Sequence, residues 1–137
     1  MDAPLLLTPG PLTTSRTVKE AMLRDWGSRD DSFIAMNRAI RERLTDLAGA
    51  REAHVCVLLQ GSGTFVVEAT LATLMAPGGK LLVLVNGAYG SRMVEMARMM
   101  GRDVELIQWH EDEQIDCDVL DQRLGDDPSI THVAVVH

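Results

Sequence analysis

Short apolar segments alternate with segments of helical periodicity from residue 55 onward, and this alternation constrains the fold more than any other feature. The clearest apolar run is Leu81–Val85, five aliphatic residues without a polar position. Such a run predicts a strand covered on both faces, which is typical of parallel sheets with crossover helices. The chain is therefore predicted to be an α/β protein with a mainly parallel sheet and flanking helices. The predicted strands are Val55–Leu59, Leu81–Val85, Val104–Trp109 and His132–Val136, and the helices between them are Thr64–Met75, Ser91–Met100 and Val119–Leu124.

The residues before this pattern are organised differently. An arm rich in proline precedes a short predicted helix, Thr17–Leu23, and a predicted loop, Asp25–Asp31. Phe33–Ala48 carries apolar residues close to the helical period and stops before Gly49, so we predict a helix there. We accordingly expect residues 1–25 to form an arm with a short helix, and residues 26–137 to form part of one larger domain.

The composition is that of a soluble globular domain and disfavours several classes of function. The chain has 137 residues, of which 46% are hydrophobic and 24% charged. No apolar run approaches the roughly 20 residues that cross a bilayer, and the net charge of −7 disfavours nucleic acid as a partner. The acidic residues between 111 and 127 match no calcium-loop spacing, so no metal site is predicted. Cys56 and Cys117 fit no redox or zinc spacing, and we expect a reduced, cytoplasmic setting.

The turn after the first predicted strand is a candidate anion site. It reads Gln-Gly-Ser-Gly-Thr over residues 60–64, directly before a predicted helix. Free backbone N–H groups and the positive end of the helix dipole meet at such a turn, and both favour a phosphate. The glycine spacing fits neither the dinucleotide-binding nor the Walker pattern. From the residues alone, Ser62, Gly63 and Thr64 form either a phosphate site or a plain helix cap.

A second turn follows the next predicted strand, at the same edge of the sheet. Asn86-Gly87 is a strong turn signal, and Tyr89 is the only tyrosine of the chain. Ligands of parallel α/β sheets bind beyond the carboxyl ends of the strands, where the Tyr89 ring could stack on a flat cofactor ring. The alternative is that Tyr89 packs at the strand end. No set of Ser, His and Asp can be assembled by spacing, so hydrolysis has no support.

Several segments along the chain match a known family in order and spacing: Leu5–Ser15, Val18–Met22, Leu58–Thr64, Asn86–Gly90, Arg92 and Thr131–His137. Together they resemble the class V aminotransferases. Among these enzymes, the sequence is most similar to the group that transfers the amino group of 2-aminoethylphosphonate to pyruvate, giving phosphonoacetaldehyde and alanine. Arg29 departs from the pattern, which has an aromatic residue before the Asp30-Asp31 pair. The resemblance covers nearly the whole chain.

The resemblance implies a pyridoxal-phosphate-dependent enzyme of fold type I, of which this chain would be an incomplete large domain. Such enzymes are normally homodimers with the active site at the subunit interface. The implied substrates are small molecules, 2-aminoethylphosphonate and pyruvate. Three groups of residues acquire a role in this way: Ser62, Gly63 and Thr64 would hold the cofactor phosphate, Tyr89 would stack on the pyridine ring, and the loop of Pro9, Gly10 and Pro11 would lie on the substrate side.

The resemblance also implies that the chemistry needs residues beyond this chain. In the family, the lysine that forms the Schiff base and the aspartate that keeps the ring nitrogen protonated both follow the position of His137. The two lysines present, Lys19 and Lys80, lie on a predicted helix and at the start of a predicted strand, away from the ligand edge. We therefore expect no catalytic residue here and no activity of the chain alone.

Two other functions are also compatible with these sequence features. One is an alanine–glyoxylate or serine–pyruvate aminotransferase of the same class. The other is a non-catalytic α/β module that binds a phosphorylated small molecule at Ser62–Thr64. A structural expectation also follows from the family sheet, in which the neighbours of the first strand come later in the sequence: Val55–Leu59 would lack its neighbour in this chain.

Overall fold

The computed structural model describes residues 4–8 and 10–136. The chain divides into two compact units, one up to Leu58 and one from Leu59 onward. In the described part, no helix is both long and apolar enough to cross a bilayer. The helices are α1 (Arg16–Ala21), α2 (Asp31–Leu47), α3 (Gly63–Leu74), α4 (Ala88–Met99) and α5 (Cys117–Asp126), and the strands are β1 (Lys80–Val85), β2 (Asp103–Gln108) and β3 (Ile130–Val135).

The three strands form one parallel sheet in the order β2-β1-β3. Leu82 of β1 lies opposite Glu105 of β2 on one side and Val133 of β3 on the other. A helix connects each successive pair of strands, α4 between β1 and β2, and α5 between β2 and β3. The predicted α/β class with a parallel sheet and flanking helices is therefore confirmed.

The core lies between β1 and the helices α3 and α4. Leu81, Val83 and Val85 of β1 are at most 2% exposed and pack there. The opposite face of β1 carries Leu82 and Leu84, which are 0% and 3% exposed. β1 is thus covered on both faces, as its unbroken apolar run predicts. The helices contribute Leu71, Met75, Met93, Val94 and Ala97 to this core.

The prediction of a strand at Val55–Leu59 is wrong. This segment pairs with none of the strands in the part of the chain that the structure describes. Its aliphatic side chains are exposed, with Val55 at 85% and Val57 at 71%. A strand needs a neighbour that satisfies its backbone N–H and C=O groups, and an apolar pattern alone does not supply one.

In the described part of the unit up to Leu58, local hydrogen bonds and helix caps stabilise the helices, and no core is formed. No described residue of this unit is buried. The hydroxyl of Ser15 caps α1 by accepting a hydrogen bond from the backbone N–H of Val18 at 3.3 Å. The 17 residues of α2 end before Gly49, whose φ of 64° lies in the left-handed region that favours glycine. Local hydrogen bonds and capping therefore define these two helices.

Candidate active site

The first turn of α3 holds the residues predicted to bind a phosphate. Ser62 is the N-cap of α3, and its Oγ accepts a hydrogen bond from the N–H of Phe65 at 3.3 Å. The N–H groups of Gly63 and Thr64 lie in the first turn, where no carbonyl of the helix can accept them. The hydroxyl hydrogen of Ser62 can still donate to a ligand while its oxygen caps the helix. The cap is thus confirmed, and it leaves the donors for an anion free.

The start of α3 is open on the side of Gly63. A Cβ at Gly63 would meet no atom within 4 Å, so this side of the helix start is open. Gly61 has a φ of +144°, and a Cβ there would lie 2.8 Å from the Cδ1 of Phe65. The first turn of α3 contains no acidic residue that would repel an anion. The open side and the lack of an acidic residue are both compatible with an anion at this turn.

The start of α3 and the start of α4 lie toward the same edge of the sheet. Val67 and Leu71 of α3, with Met75 at its C-cap, pack into the core that contains Leu81, Val83 and Val85 of β1. The end of α3 connects by a short loop to the amino end of β1. A helix of 12 residues is about 18 Å long and a strand of six about 20 Å. The beginning of α3 is accordingly directed toward the carboxyl edge, where α4 begins just after β1. This arrangement agrees with the predicted position of both turns.

Tyr89 stands in the first turn of α4 and is 66% exposed. Its neighbour Gly90 is buried, and a Cβ at Gly90 would lie only 3.0 Å from the Cα of Val85. The first turn of α4 therefore rests directly on the end of β1. The guanidinium carbon of Arg92 lies 5.5 Å from the centroid of the Tyr89 ring. The ring is available to a ligand instead of packing into the core.

Two contacts that organise this edge escape prediction from sequence. The side-chain amide of Asn86 donates to the carbonyl of Val136 at 3.0 Å, which ties the end of β1 to the end of β3. The close contact of Gly90 with Val85 is the second. Asn86-Gly87 predicts only a turn, because its partner is distant in sequence. Gly90 does leave a signal, since a glycine inside a helical pattern costs about 1 kcal/mol and so indicates a close approach.

A carboxylate occupies the space before α4. The residues that follow β2 line a cavity of about 490 Å³ with the start of α4. The Oε1 of Glu111 lies 3.5 Å from the position that a Cβ on Gly87, the N-cap of α4, would take. A helix N-terminus favours such a negative charge, and the carboxylate repels a second anion. A phosphate therefore finds the more suitable place at the start of α3.

The predicted substrate-side loop lies in the unit up to Leu58. Gly10 and Pro11 are exposed, and Pro9 lies outside the described residues. The hydroxyl of Thr8 donates to the carbonyl of Pro11 and so closes this loop. Its role on the substrate side stays a prediction.

The loop before α2 contains Arg29, the departure from the family pattern. The aromatic residue of this loop is Trp26, and the centroid of its ring lies 6.2 Å from the ring centroid of Phe33. The guanidinium carbon of Arg24 lies 4.0 Å from the centroid of the Trp26 ring. An aromatic side chain is thus present in this loop, three residues before Arg29.

Lys80 lies at the amino edge of the sheet, opposite the candidate site. Its ammonium group is 2.6 Å from the Oδ2 of Asp127 and also contacts Glu105, which in turn contacts Arg123. The hydrogen bonds that the Lys80 ammonium group donates to Asp127 and Glu105 raise the pKa of Lys80. The hydrogen bonds of Lys80 and Ser129 lower the pKa of Asp127, and those of Lys80 and Arg123 lower that of Glu105. Lys80 therefore serves an ion-pair network that joins β1, β2 and α5.

Two solved structures resemble this fold over the whole length of the chain. The alanine–glyoxylate aminotransferase from Nostoc sp. matches 100% of this chain with a TM-score of 0.85 and 31% identity, over 37% of its own chain. The pyridoxamine–pyruvate aminotransferase from Mesorhizobium loti matches with a TM-score of 0.86 at 24% identity, over 35% of its chain. The fold of this chain is therefore similar to about a third of the fold of these two aminotransferases.

Comparison with curated proteins identifies the group of aminotransferases that this chain resembles. The chain is 50% identical over 134 residues to 2-aminoethylphosphonate–pyruvate transaminase 2 of Burkholderia lata, and 46% identical over 136 residues to the transaminase of the same name from Pseudomonas putida. These matches cover 98% and 99% of this chain but 36% and 37% of the relatives. No protein-family model matches the chain. The predicted resemblance to 2-aminoethylphosphonate–pyruvate transaminases is confirmed, over little more than a third of their length.

Proposed function

We propose that the chain forms the phosphate-binding part of a pyridoxal-phosphate-dependent aminotransferase that moves the amino group of 2-aminoethylphosphonate to pyruvate. The observation that carries this proposal is the identity of 46–50% to transaminases of that name over nearly the whole chain. The identity to the alanine–glyoxylate aminotransferase structure is 31%, which favours 2-aminoethylphosphonate as the amino donor. The open start of α3 supports the cofactor assignment.

The residues of this chain would bind and orient the cofactor. The N–H groups of Gly63 and Thr64 and the hydroxyls of Ser62 and Thr64 would hold its phosphate, and the ring of Tyr89 would lie against its pyridine ring. The bound cofactor supplies an electron sink for the carbon that loses or gains the amino group. The chain itself supplies the anchor, since a fixed phosphate and a stacked ring restrict the cofactor to one orientation.

We also propose the assembly and setting that accompany this function. The loop of Gly10 and Pro11 would face the substrate, and the active protein would be a cytoplasmic homodimer. Cys56 and Cys117 both carry free thiols, as a reducing compartment maintains them.

Replacing Thr64 by valine tests the phosphate site. Thr64 is not the cap of α3, so its hydroxyl can be removed without loss of the cap at Ser62. A hydrogen bond to a charged group contributes about 1.5–3 kcal/mol, so the affinity for pyridoxal phosphate is expected to fall roughly tenfold or more. The melting temperature should change little. Affinity is measured by titrating the chain with pyridoxal phosphate.

Thr70→Val is the matched control for this experiment. Thr70 lies on the same helix, is exposed, and bonds only the carbonyl of Val66 within the described residues. Its replacement should leave the affinity unchanged. The phosphate assignment is wrong if Thr64→Val combined with Ser62→Ala binds pyridoxal phosphate as tightly as the unmodified chain does.

We further propose that neither Lys19 nor Lys80 attaches the cofactor, so that the chain alone does not transaminate. Lys80→Met is expected to lower the melting temperature at pH 7 and to leave the affinity for pyridoxal phosphate unchanged. Asp127 and Glu105 have lowered pKa values in the fold, so their pairing with Lys80 stabilises above the ordinary carboxyl values of 3.8 and 4.5 and is lost at lower pH. The pKa of Lys80 is raised above its ordinary value of 10.5, so the stabilisation from this pairing is complete up to about pH 10.5. It is lost only as the pH rises further.

The pH dependence gives this experiment a second readout. The difference in melting temperature between the unmodified chain and Lys80→Met should be largest near neutral pH and shrink as the pH falls below about 4. Borohydride reduction in the presence of pyridoxal phosphate, followed by peptide mapping, checks the lysines directly. The proposal would be contradicted if peptide mapping locates the reduced cofactor on Lys80 and this label disappears when Thr64→Val is combined with Ser62→Ala.

A further inference from the structure

The exposed ring of Tyr89 has a cation on one side. Arg92 lies three residues later on α4, a spacing that places two side chains next to each other on a helix surface. Its guanidinium carbon is 5.5 Å from the ring centroid, within the range of a cation–π contact. The backbone beneath is fixed by the contact of Gly90 with Val85. The backbone of the turn is thus held by packing, and the ring has the guanidinium of Arg92 beside it.

An exposed aromatic ring without a neighbour samples several rotamers, and ordering it costs affinity when a ligand binds. Arg92 restricts the ring before any ligand is present. Most of the Tyr89 surface stays accessible to a ligand, since the residue is 66% exposed. A planar guanidinium suits this role because it stacks on aromatic faces.

We propose that Arg92 is a positioning residue, which holds the ring of Tyr89 in the orientation that receives the pyridine ring of the cofactor. This inference rests on the proposed function. Arg92 acts through Tyr89 and does not itself touch the reacting atoms. Its loss should therefore change the Tyr89 ring first, and cofactor affinity as a consequence.

The single tyrosine makes the test direct. Selective labelling of tyrosine ring carbons gives NMR signals from Tyr89 alone. In the free chain, Arg92→Met should shift these signals, and Arg92→Lys, which keeps a cation, should shift them less. The affinity for pyridoxal phosphate should fall about two- to fivefold in Arg92→Met, as expected for an exposed cation–π contact, and recover in part in Arg92→Lys.

Arg98→Met is the matched control, because it removes the same charge from the last turn of the same helix. It should leave both the ring signals and the affinity unchanged. Unshifted ring signals in Arg92→Met, or an equal loss of affinity in Arg98→Met, would overturn the positioning role. Failure of the proposed function looks different: pyridoxal phosphate would then leave the Tyr89 signals of the unmodified chain unchanged, and the positioning role would be overturned with it.

Discussion

Replacing Leu82 by alanine is expected to lower the free energy of unfolding by about 2–5 kcal/mol, the range for a fully buried leucine. Leu82 is 0% exposed at the centre of the sheet, on the face of β1 opposite α3 and α4. The loss combines the burial of the removed methyl groups with the cavity that they leave. Urea denaturation followed by circular dichroism measures the change.

Val133→Ala is the control on the adjacent strand. Val133 is the register partner of Leu82 on β3, so both side chains lie on the same face of the sheet. It is 43% exposed, and its replacement should cost about 1 kcal/mol or less. Similar losses in the two variants would contradict the difference in burial between the two strands.

The sequence pattern predicts the burial of β1 better than that of its neighbours. The unbroken run Leu81–Val85 is covered on both faces, as predicted, whereas Val133 and Val135 of β3 are 43% and 49% exposed. Apolar periodicity is a local property, but the coverage of a strand depends on its place in the sheet. That place is set by crossover connections between distant segments. The same reason explains why Val55–Leu59 has a strand-like pattern without being a strand here.

The candidate site is likewise only partly predictable from the sequence. The order of strand, turn and helix places Tyr89 beyond the carboxyl end of β1. Ser62–Thr64 lie toward the same edge for another reason: no strand forms at Val55–Leu59, and α3 runs back from this edge to the amino end of β1. The contacts that fix this edge depend on side chains that meet only after folding. Asn86 and its partner Val136 are 50 residues apart in sequence, and the approach of Glu111 to Gly87 likewise joins separate turns. No local pattern encodes such pairs.

Gly90→Ala is expected to destabilise the fold by about 1–3 kcal/mol, the usual cost of forcing extra volume into a packed site. The added Cβ would lie 3.0 Å from the Cα of Val85 and 3.5 Å from the carbonyl oxygen of Leu84. Backbone atoms cannot turn away as a flexible side chain can, so α4 must move outward from β1. Alanine is the better helix former by about 1 kcal/mol. The expected loss of about 1–3 kcal/mol is the net effect, with this gain already included.

Gly125→Ala separates the steric effect from helix propensity. Gly125 also lies within a helix, α5, but a Cβ there would meet no atom within 4 Å. Its replacement should stabilise the chain by less than about 1 kcal/mol. Because the outward movement of α4 carries Tyr89 with it, only Gly90→Ala should also weaken the binding of pyridoxal phosphate. Urea denaturation and cofactor titration of both variants measure the two effects, and equal stabilisation by both alanines would show that α4 does not rest on the end of β1.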